Sequence, residues 1–142
     1  MRSIGGMHGQ DRGFTLVELL LVVAILAILA AIAVPRFQAY IQSATRLSML
    51  SDAKNTVIME ENYKTENQTY VVIPSMTGPA TFAIGLNSVS ASRDNTLEVT
   101  AGGTGVSDSF VVTVENSNAG PGKSPLTWIS PSACTWADGS HC

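Results

Sequence analysis

The stretch "RGFTLVELLLVVAILAILAAIAVPRF", residues 12–37, decides the fold of this 142-residue chain. Between Phe14 and Val34 it contains 21 residues, of which only Glu18 carries a charge. At about 1.5 Å per residue, a helix of this length spans roughly 30 Å, the thickness of a bilayer core. The stretch therefore predicts a membrane-length helix whose apolar run ends at Pro35, where proline bends the helix without having to break it.

Three ordinary explanations compete for this segment. A secretory signal peptide has a shorter apolar core, of about 7–15 residues, followed by small residues at the cleavage site. Here the core is longer, and "PRF", residues 35–37, follows it. A buried helix of a soluble protein rarely runs this far without a polar face. A plain single-span anchor fits the length but gives no reason for Glu18.

Glu18 is the residue to explain, because a charge in the middle of a bilayer costs several kcal/mol. It lies four residues after Phe14, about 6 Å along a helix, so its carboxylate reaches the interface, where the helix dipole also favours an anion. A cut between Gly13 and Phe14 would create a positive α-amino group. Among parallel helices, Glu18 of one copy would then pair with the Phe14 nitrogen of the next. At about 4 Å and an effective dielectric near 20 this attraction is roughly 4 kcal/mol before desolvation, and it would also set the axial register.

The motif "GFTLVE", residues 13–18, followed by about twenty apolar residues, resembles the N-terminal motif of type IV pilins and the related pseudopilins. In that family a prepilin peptidase cuts after the glycine and methylates the new N-terminal residue. The resemblance implies cleavage between Gly13 and Phe14, N-methylation of Phe14, a filament-assembly role for Glu18 and a helix kink at Pro35.

This resemblance covers residues 12 to about 40, which is under a third of the chain. The implied leader, residues 1–13, is longer than is usual for pilins that begin with Phe. Met7 lies inside it, and a start there leaves "MHGQDRG", a leader of ordinary size. We expect Met7 to be the true start; either start yields the same mature chain.

Beyond Pro35 the pattern becomes amphipathic and predicts that the helix continues to about Lys64. The expected apolar face consists of Leu47, Leu50, Val57 and Ile58, with Ala44 and Ala53. Four charged residues are expected to point mostly elsewhere: Arg46, Lys54, Glu60 and Glu61.

The rest of the chain alternates apolar and β-branched residues in short runs that Gly, Asn, Ser and Pro separate, which predicts an antiparallel meander. The runs are "TYVVI" (69–73), "TFAIGL" (81–86), "TLEVTA" (96–101), "SFVVTVE" (109–115) and "LTWIS" (126–130). The first two are the weakest, and residues 66–80 are alternatively an irregular loop. A small sheet laid on the amphipathic half of the helix gives an α+β fold, and the pilin resemblance implies the same.

These patterns, together with the pilin resemblance, imply four segments. They are a leader removed by cleavage (1–13), a transmembrane and filament-core helix (14–35), an amphipathic continuation of that helix (36–65) and a β-rich globular head (66–142).

Cys134 and Cys142 are the two cysteines of the chain. Seven residues separate them, so they either close a small disulfide loop in an oxidising compartment or remain free thiols. Export, which the pilin resemblance implies, supplies that compartment. We therefore expect a disulfide that bounds the C-terminal region of the head.

Little in the sequence favours catalysis, a metal or a cofactor. The histidines are His8 and His141, and no phosphate-binding glycine motif is present. Asp94, Asn95 and Asp108 fall in predicted loops, and we interpret them as solvated turn residues rather than as a calcium site. Basic residues are scarce after residue 64 and the formal net charge is −3, which argues against nucleic-acid binding.

The resemblance implies a structural protein without enzymatic activity: the major pilin of a type IV pilus, polymerised with copies of itself. It implies an inner-membrane precursor with its head in the periplasm, processing by the peptidase and the pilus assembly machinery, and an extracellular filament. A pseudopilin of a type II secretion system and a minor pilin are the alternatives within the family, and a simple single-span anchored domain is the alternative outside it. Adhesion, motility and DNA uptake remain open as roles of the filament.

Overall fold

The structure is a computed structural model that describes residues 13–103, 105–131 and 133–142. Apart from Gly13, the expected leader lies outside the described residues, and so do Met7 and His8. The chain divides into two compact units, one ending at Phe37 and the other running from Gln38 to Cys142. Its elements are α1 (Leu16–Asn67), β1 (Ile73–Thr77), β2 (Ala80–Ile84), β3 (Asn87–Ala91), β4 (Thr96–Ala101), β5 (Phe110–Glu115), a 3₁₀ turn (Ser117–Ala119), β6 (Leu126–Ile129) and β7 (Ala133–Trp136).

The helix α1 begins at Leu16 and includes Pro35. Proline interrupts the backbone ladder because it has no amide hydrogen, yet good helix formers flank it and the helix continues past it. The helix ends at Asn67, three residues later than expected, and Gln68 after it has a left-handed backbone with φ of 62°. By length and composition, α1 is able to cross a membrane.

The five-stranded antiparallel sheet has the order β1-β4-β5-β6-β7. The predicted strands at 96–101, 109–115 and 126–130 are confirmed to within a residue at either end. The hairpin β2–β3 forms a separate two-stranded sheet, so β1 pairs with β4 rather than with the next strand in sequence. The prediction of a simple meander was therefore wrong for the segment from β1 to β4.

Two expectations about the strands were incomplete. The run at 69–73 is not a strand before Ile73, because residues 69–72 belong to the irregular segment after the helix. Strands β3 and β7 were missed: β3 reads "NSVSA" and has little apolar alternation, while β7 is a four-residue strand that pairs along its whole length with β6. The α+β class itself is confirmed.

The core of the unit from Gln38 onward lies between the second half of α1 and one face of the sheet. Alternation places Leu97 and Val99 of β4 on that face, and Phe110, Val112 and Val114 of β5 beside them, all with 1% exposure or less. Each such side chain stabilises the fold by roughly 1.5–3 kcal/mol relative to exposure.

The helix face that meets this core matches the expected one only in part. Ala53 is fully buried as expected, and Leu50 and Val57 pack against the core. Leu47 and Ile58, however, are 65% and 53% exposed, while Met49, which was not expected there, is fully buried. Apolar residues occur on several sides of this half-helix, so periodicity alone did not select the buried side. Glu60, expected to point elsewhere, is also fully buried, because the segment after the helix supplies a donor to its carboxylate.

Candidate processing and assembly site

The start of α1 is a capping box formed by Thr15 and Glu18. The Glu18 amide donates to the Thr15 hydroxyl oxygen at 3.2 Å, and the Thr15 amide donates to Glu18 Oε2 at 2.8 Å. The Thr15 hydroxyl also donates to Oε2, at 2.9 Å. These bonds satisfy amides at the helix terminus that would otherwise have no partner. They also explain why the helix begins at Leu16 rather than at Phe14.

This cap was missed in the sequence, although "TLVE" at residues 15–18 carries the Thr-x-x-Glu signature. Both described hydrogen bonds that the Glu18 carboxylate accepts end on Oε2. Its second oxygen, Oε1, accepts none of them and stays available at an exposed helix end. The arrangement is therefore able to hold the helix start and still present a carboxylate oxygen to another group.

Gly13 and Phe14 precede the helix in non-helical, exposed chain, and the Phe14 side chain is 86% exposed. A Cβ added at Gly13 would meet nothing within 4 Å. The fold thus gives no steric reason for glycine at this position. The peptide bond between Gly13 and Phe14 is accessible, as a proteolytic site must be.

No other described part of the chain covers the apolar half of α1. Every residue from 14 to 37 is exposed, although nearly all of them are apolar. A single helix with so much uncovered apolar surface is unstable in water, and either lipid or the apolar surfaces of other helices must cover it.

Pro35 lies inside this exposed part of the helix. Its missing amide hydrogen removes the bond to the carbonyl of Ala31, four residues earlier. A kink at this position remains a prediction.

At the C-terminus Cys134 and Cys142 form the expected disulfide. Across the loop that they close, Lys123 Nζ lies 2.7 Å from Asp138 Oδ2 and donates to the Ser140 hydroxyl at 2.7 Å. The hydrogen bond from Lys123, followed by those from Ser140, holds the pKa of the Asp138 carboxyl well below its usual range. The disulfide thus ties Cys142 to strand β7, and the ion pair ties Asp138 to the segment before β6.

A buried polar cluster anchors the middle of α1 to the turn before β4. Both Asp52 carboxylate oxygens accept hydrogen bonds: Oδ2 from the Ser92 amide and from Asn95 Nδ2, each at 2.7 Å, and Oδ1 from the Ser92 hydroxyl at 2.8 Å. Asn95 is fully buried and in turn accepts from Asn116 Nδ2 at 2.7 Å. The interpretation of Asn95 as a solvated turn residue was therefore wrong, because its amide closes this network. Asp94 beside it is exposed, in agreement with a turn residue.

A second buried carboxylate, that of Glu60, meets the segment leaving the helix. Glu60 Oε2 accepts the Val71 amide at 2.8 Å, while Oε1 has no partner among the described residues. Loss of water around the group is the main reason that its pKa is raised from 4.5 to about 7, and the neighbouring Glu61 adds to the effect. Glu61 Oε1 accepts from the Tyr70 and Ser130 hydroxyls, each at 3.1 Å.

Among the residues that the structure describes, no three His, Cys, Asp or Glu side chains converge on a point that could hold a metal ion. Apart from Pro35, which lies inside α1, the expected site residues separate into two groups. Gly13, Phe14 and Glu18 lie together at the start of α1, and Cys134 and Cys142 close the end of the head. The sequence motif and the geometry thus single out the helix N-terminus as the candidate site.

The family model described as the prokaryotic N-terminal methylation motif matches residues 9–34. A type IV major fimbrial protein, FimA of Dichelobacter nodosus, is 48% identical over 46 residues, which is 32% of this chain and 30% of FimA. The methylation motif and this match support a type IV pilin. The type IV wide pilus major component PilA4 of Thermus thermophilus is 35% identical over 80 residues, covering 56% of this chain and 58% of PilA4. Prepilin peptidase-dependent protein D of Escherichia coli is 49% identical over 41 residues, or 29% of this chain and 28% of that protein.

These matches span less than two thirds of each of these relatives. No solved structure gives a significant match to this chain.

Proposed function

We propose that this pilin is the major structural subunit of a type IV pilus, and that it is cut after Gly13, methylated at Phe14 and polymerised into a helical surface filament. The observation that carries the proposal is the uncovered apolar half-helix with a single carboxylate at its N-terminus. Relatives described as major pilus and fimbrial components support the major role.

Processing comes first. The bond between Gly13 and Phe14 is exposed, and nothing in the fold requires glycine at 13. We attribute that glycine to recognition by a prepilin peptidase, in line with the name of the Escherichia coli relative. Before and after the cut, the apolar half of α1 spans the inner membrane once, with the head on the periplasmic side.

Assembly then moves the same apolar surface out of lipid and against the helices of other copies. The new ammonium group at Phe14 of one copy pairs with Glu18 of its neighbour. The capping box engages only Oε2, which leaves Oε1 for this contact. A buried charge without its partner is costly, so the pair disfavours every other axial stagger. The subunit has no enzymatic step of its own.

Mass spectrometry of surface filaments sheared from cells tests the proposal. The expected dominant species begins at methylated Phe14 and is two hydrogens lighter than the reduced chain because of the disulfide. A processed chain that stays in the membrane fraction would instead identify a pseudopilin of a type II secretion system or a minor pilin. A chain that still carries its leader there would identify a simple anchored domain.

Two substitutions separate the charge of Glu18 from its capping role. Glu18→Gln keeps a side chain that caps a helix but removes the charge, so filaments should be lost while membrane insertion is kept. Thr15→Ala removes the capping hydroxyl but leaves the carboxylate, so filaments should form. Normal filament numbers in Glu18→Gln would refute the pairing.

A further inference from the structure

Leu86 is the most exposed large apolar side chain among the described residues, at 97%. It lies at the tip of the β2–β3 hairpin, in a two-residue turn with Gly85 that is closed by the pair Ile84 and Asn87. The turn is supported from below, because a Cβ built on Gly85 would be 3.2 Å from the Tyr63 ring of α1. Leu86 is thus an exposed apolar side chain on a turn that packs against α1. We call this side chain the knob.

A hollow of about 290 Å³ lies elsewhere on the same unit. We call it the Trp136 hollow; it is lined by Ser43, Arg46, Leu47, Leu50, Lys123 and Trp136. Leu47, which the sequence pattern placed in the core, is 65% exposed here. Leu50 and Trp136 pack against the core while keeping part of their surface open. The hollow is therefore lined by three apolar side chains and two cationic ones, with Ser43 beside them.

The knob and the hollow lie at opposite ends of the head. Tyr63, under the knob, and Leu47, in the hollow, are 16 residues apart on one helix, which is about 24 Å along its axis. Both belong to the unit from Gln38 to Cys142. Leu86 therefore does not fill the hollow of its own chain. A contact between the two features joins different patches of two copies, and such a heterologous contact repeats into an open filament.

Charge favours the same pairing. Within the described part of the chain, the salt bridge that is found joins Lys123 to Asp138, so Arg46 at the hollow has no carboxylate partner there. Glu66, exposed and three residues beyond Tyr63 on α1, likewise has no cationic partner. When the knob of one copy enters the hollow of the next, Glu66 of the first copy moves toward Arg46 of the second. Two hollows that faced each other would instead place like charges together.

We propose that Leu86 of one copy seats in the Trp136 hollow of the copy above it, and that this contact stacks the heads along the filament. The inference rests on the proposed filament function. It adds a head-to-head contact that is separate from the helix contact at Glu18, and the partner is a second copy of this chain.

Photo-crosslinking in assembled filaments tests the contact. A benzophenone amino acid replaces Leu86 in the full chain, sheared filaments are irradiated, and crosslinked peptides are identified by mass spectrometry. The expected product joins position 86 to a peptide containing Leu47 or Trp136 of another copy. The same probe at Ser117, which is exposed but outside both features, should not label that peptide.

Two further variants serve as a matched pair. Leu86→Ser removes the knob and should lower the yield of sheared filaments about tenfold, since one buried leucine is lost per contact. Asn87→Ser, at the adjacent exposed position, should leave the yield unchanged.

The outcomes separate the two proposals. If filaments form but position 86 crosslinks only outside the hollow, or not at all, the contact between Leu86 and the Trp136 hollow is refuted. The proposed pilus function is then unaffected. Absence of filaments from the unsubstituted chain would overturn the function, and the seating with it.

Discussion

Replacing Glu60 by Gln should change the pH dependence of the stability of the head. The folded state raises the pKa of Glu60 to about 7, whereas in an unfolded chain it lies near 4.5. Because the folded pKa is the higher one, the stability that Glu60 contributes is complete below pH 4.5. It is lost progressively as the pH rises through 7 and the buried carboxyl must ionise.

The size of the effect follows from the two pKa values. The difference between 7 and 4.5 corresponds to about 3 kcal/mol of unfolding free energy, lost between acidic and mildly alkaline pH. Gln keeps an oxygen for the Val71 amide and cannot ionise. Its NH2 group, like the O–H of the protonated carboxyl, is an uncharged donor group without a described partner, so the variant should match the parent near pH 4. At pH 8 the variant should be more stable, with a melting temperature higher by about 10–20 °C.

The assay is thermal unfolding of the full chain in mild detergent between pH 4 and pH 8, followed by the fluorescence of Trp128 and Trp136, which lie on the two C-terminal strands. Glu66→Gln is the matched control, because Glu66 is exposed on the same helix. That variant should follow the parent at every pH. If the Glu60→Gln and parent curves stay parallel over the whole range, the ionisation of Glu60 is not coupled to folding and the reasoning fails.

Three other predictions concern the anchors of the fold. Asp52→Ala leaves several buried donors without an acceptor and should lower the free energy of unfolding by about 3 kcal/mol, measured by the same melts; an equal loss in the exposed control Asp108→Ala would contradict the role given to the network. Cys134→Ser opens a loop with a sequence separation of 8 and should cost about 2–3 kcal/mol, and reduction of the parent should reproduce the shift if the disulfide is the cause. Pro35→Ala restores a helix hydrogen bond and should slow amide exchange beside position 35 in detergent micelles by about a hundredfold; unchanged exchange would show that the helix is already unperturbed there.

The strands that could be predicted are those whose pattern is local. The runs at 96–101 and 109–115 alternate apolar and polar side chains, and the observed strands β4 and β5 do the same. Strand β3 has only Val89 as a large apolar residue, so its pairing with β2 rather than its own pattern makes it a strand.

The helix face illustrates the limit of periodicity. Leu47 and Ile58 share a side of α1 that the sequence equally well supports as buried. The sheet instead covers a side that includes Met49 together with Ala53, which was expected to be buried. That choice also buries Asp52 and Glu60, and it is tolerated because Ser92, Asn95 and Val71, distant in sequence, donate to the two carboxylates.

The sequence by itself determined the N-terminal segment of this protein: an apolar helix of membrane length, a single carboxylate, a glycine before Phe14, and a resemblance to the pilins. These features depend on composition and on spacing within a few residues, which a linear chain displays directly. Only the tertiary structure decided the surface of the head, with the knob at Leu86, the hollow beside Trp136 and the raised pKa of Glu60. Those properties arise where segments far apart in sequence meet, because burial and hydrogen-bond partners exist only once the sheet has packed on the helix.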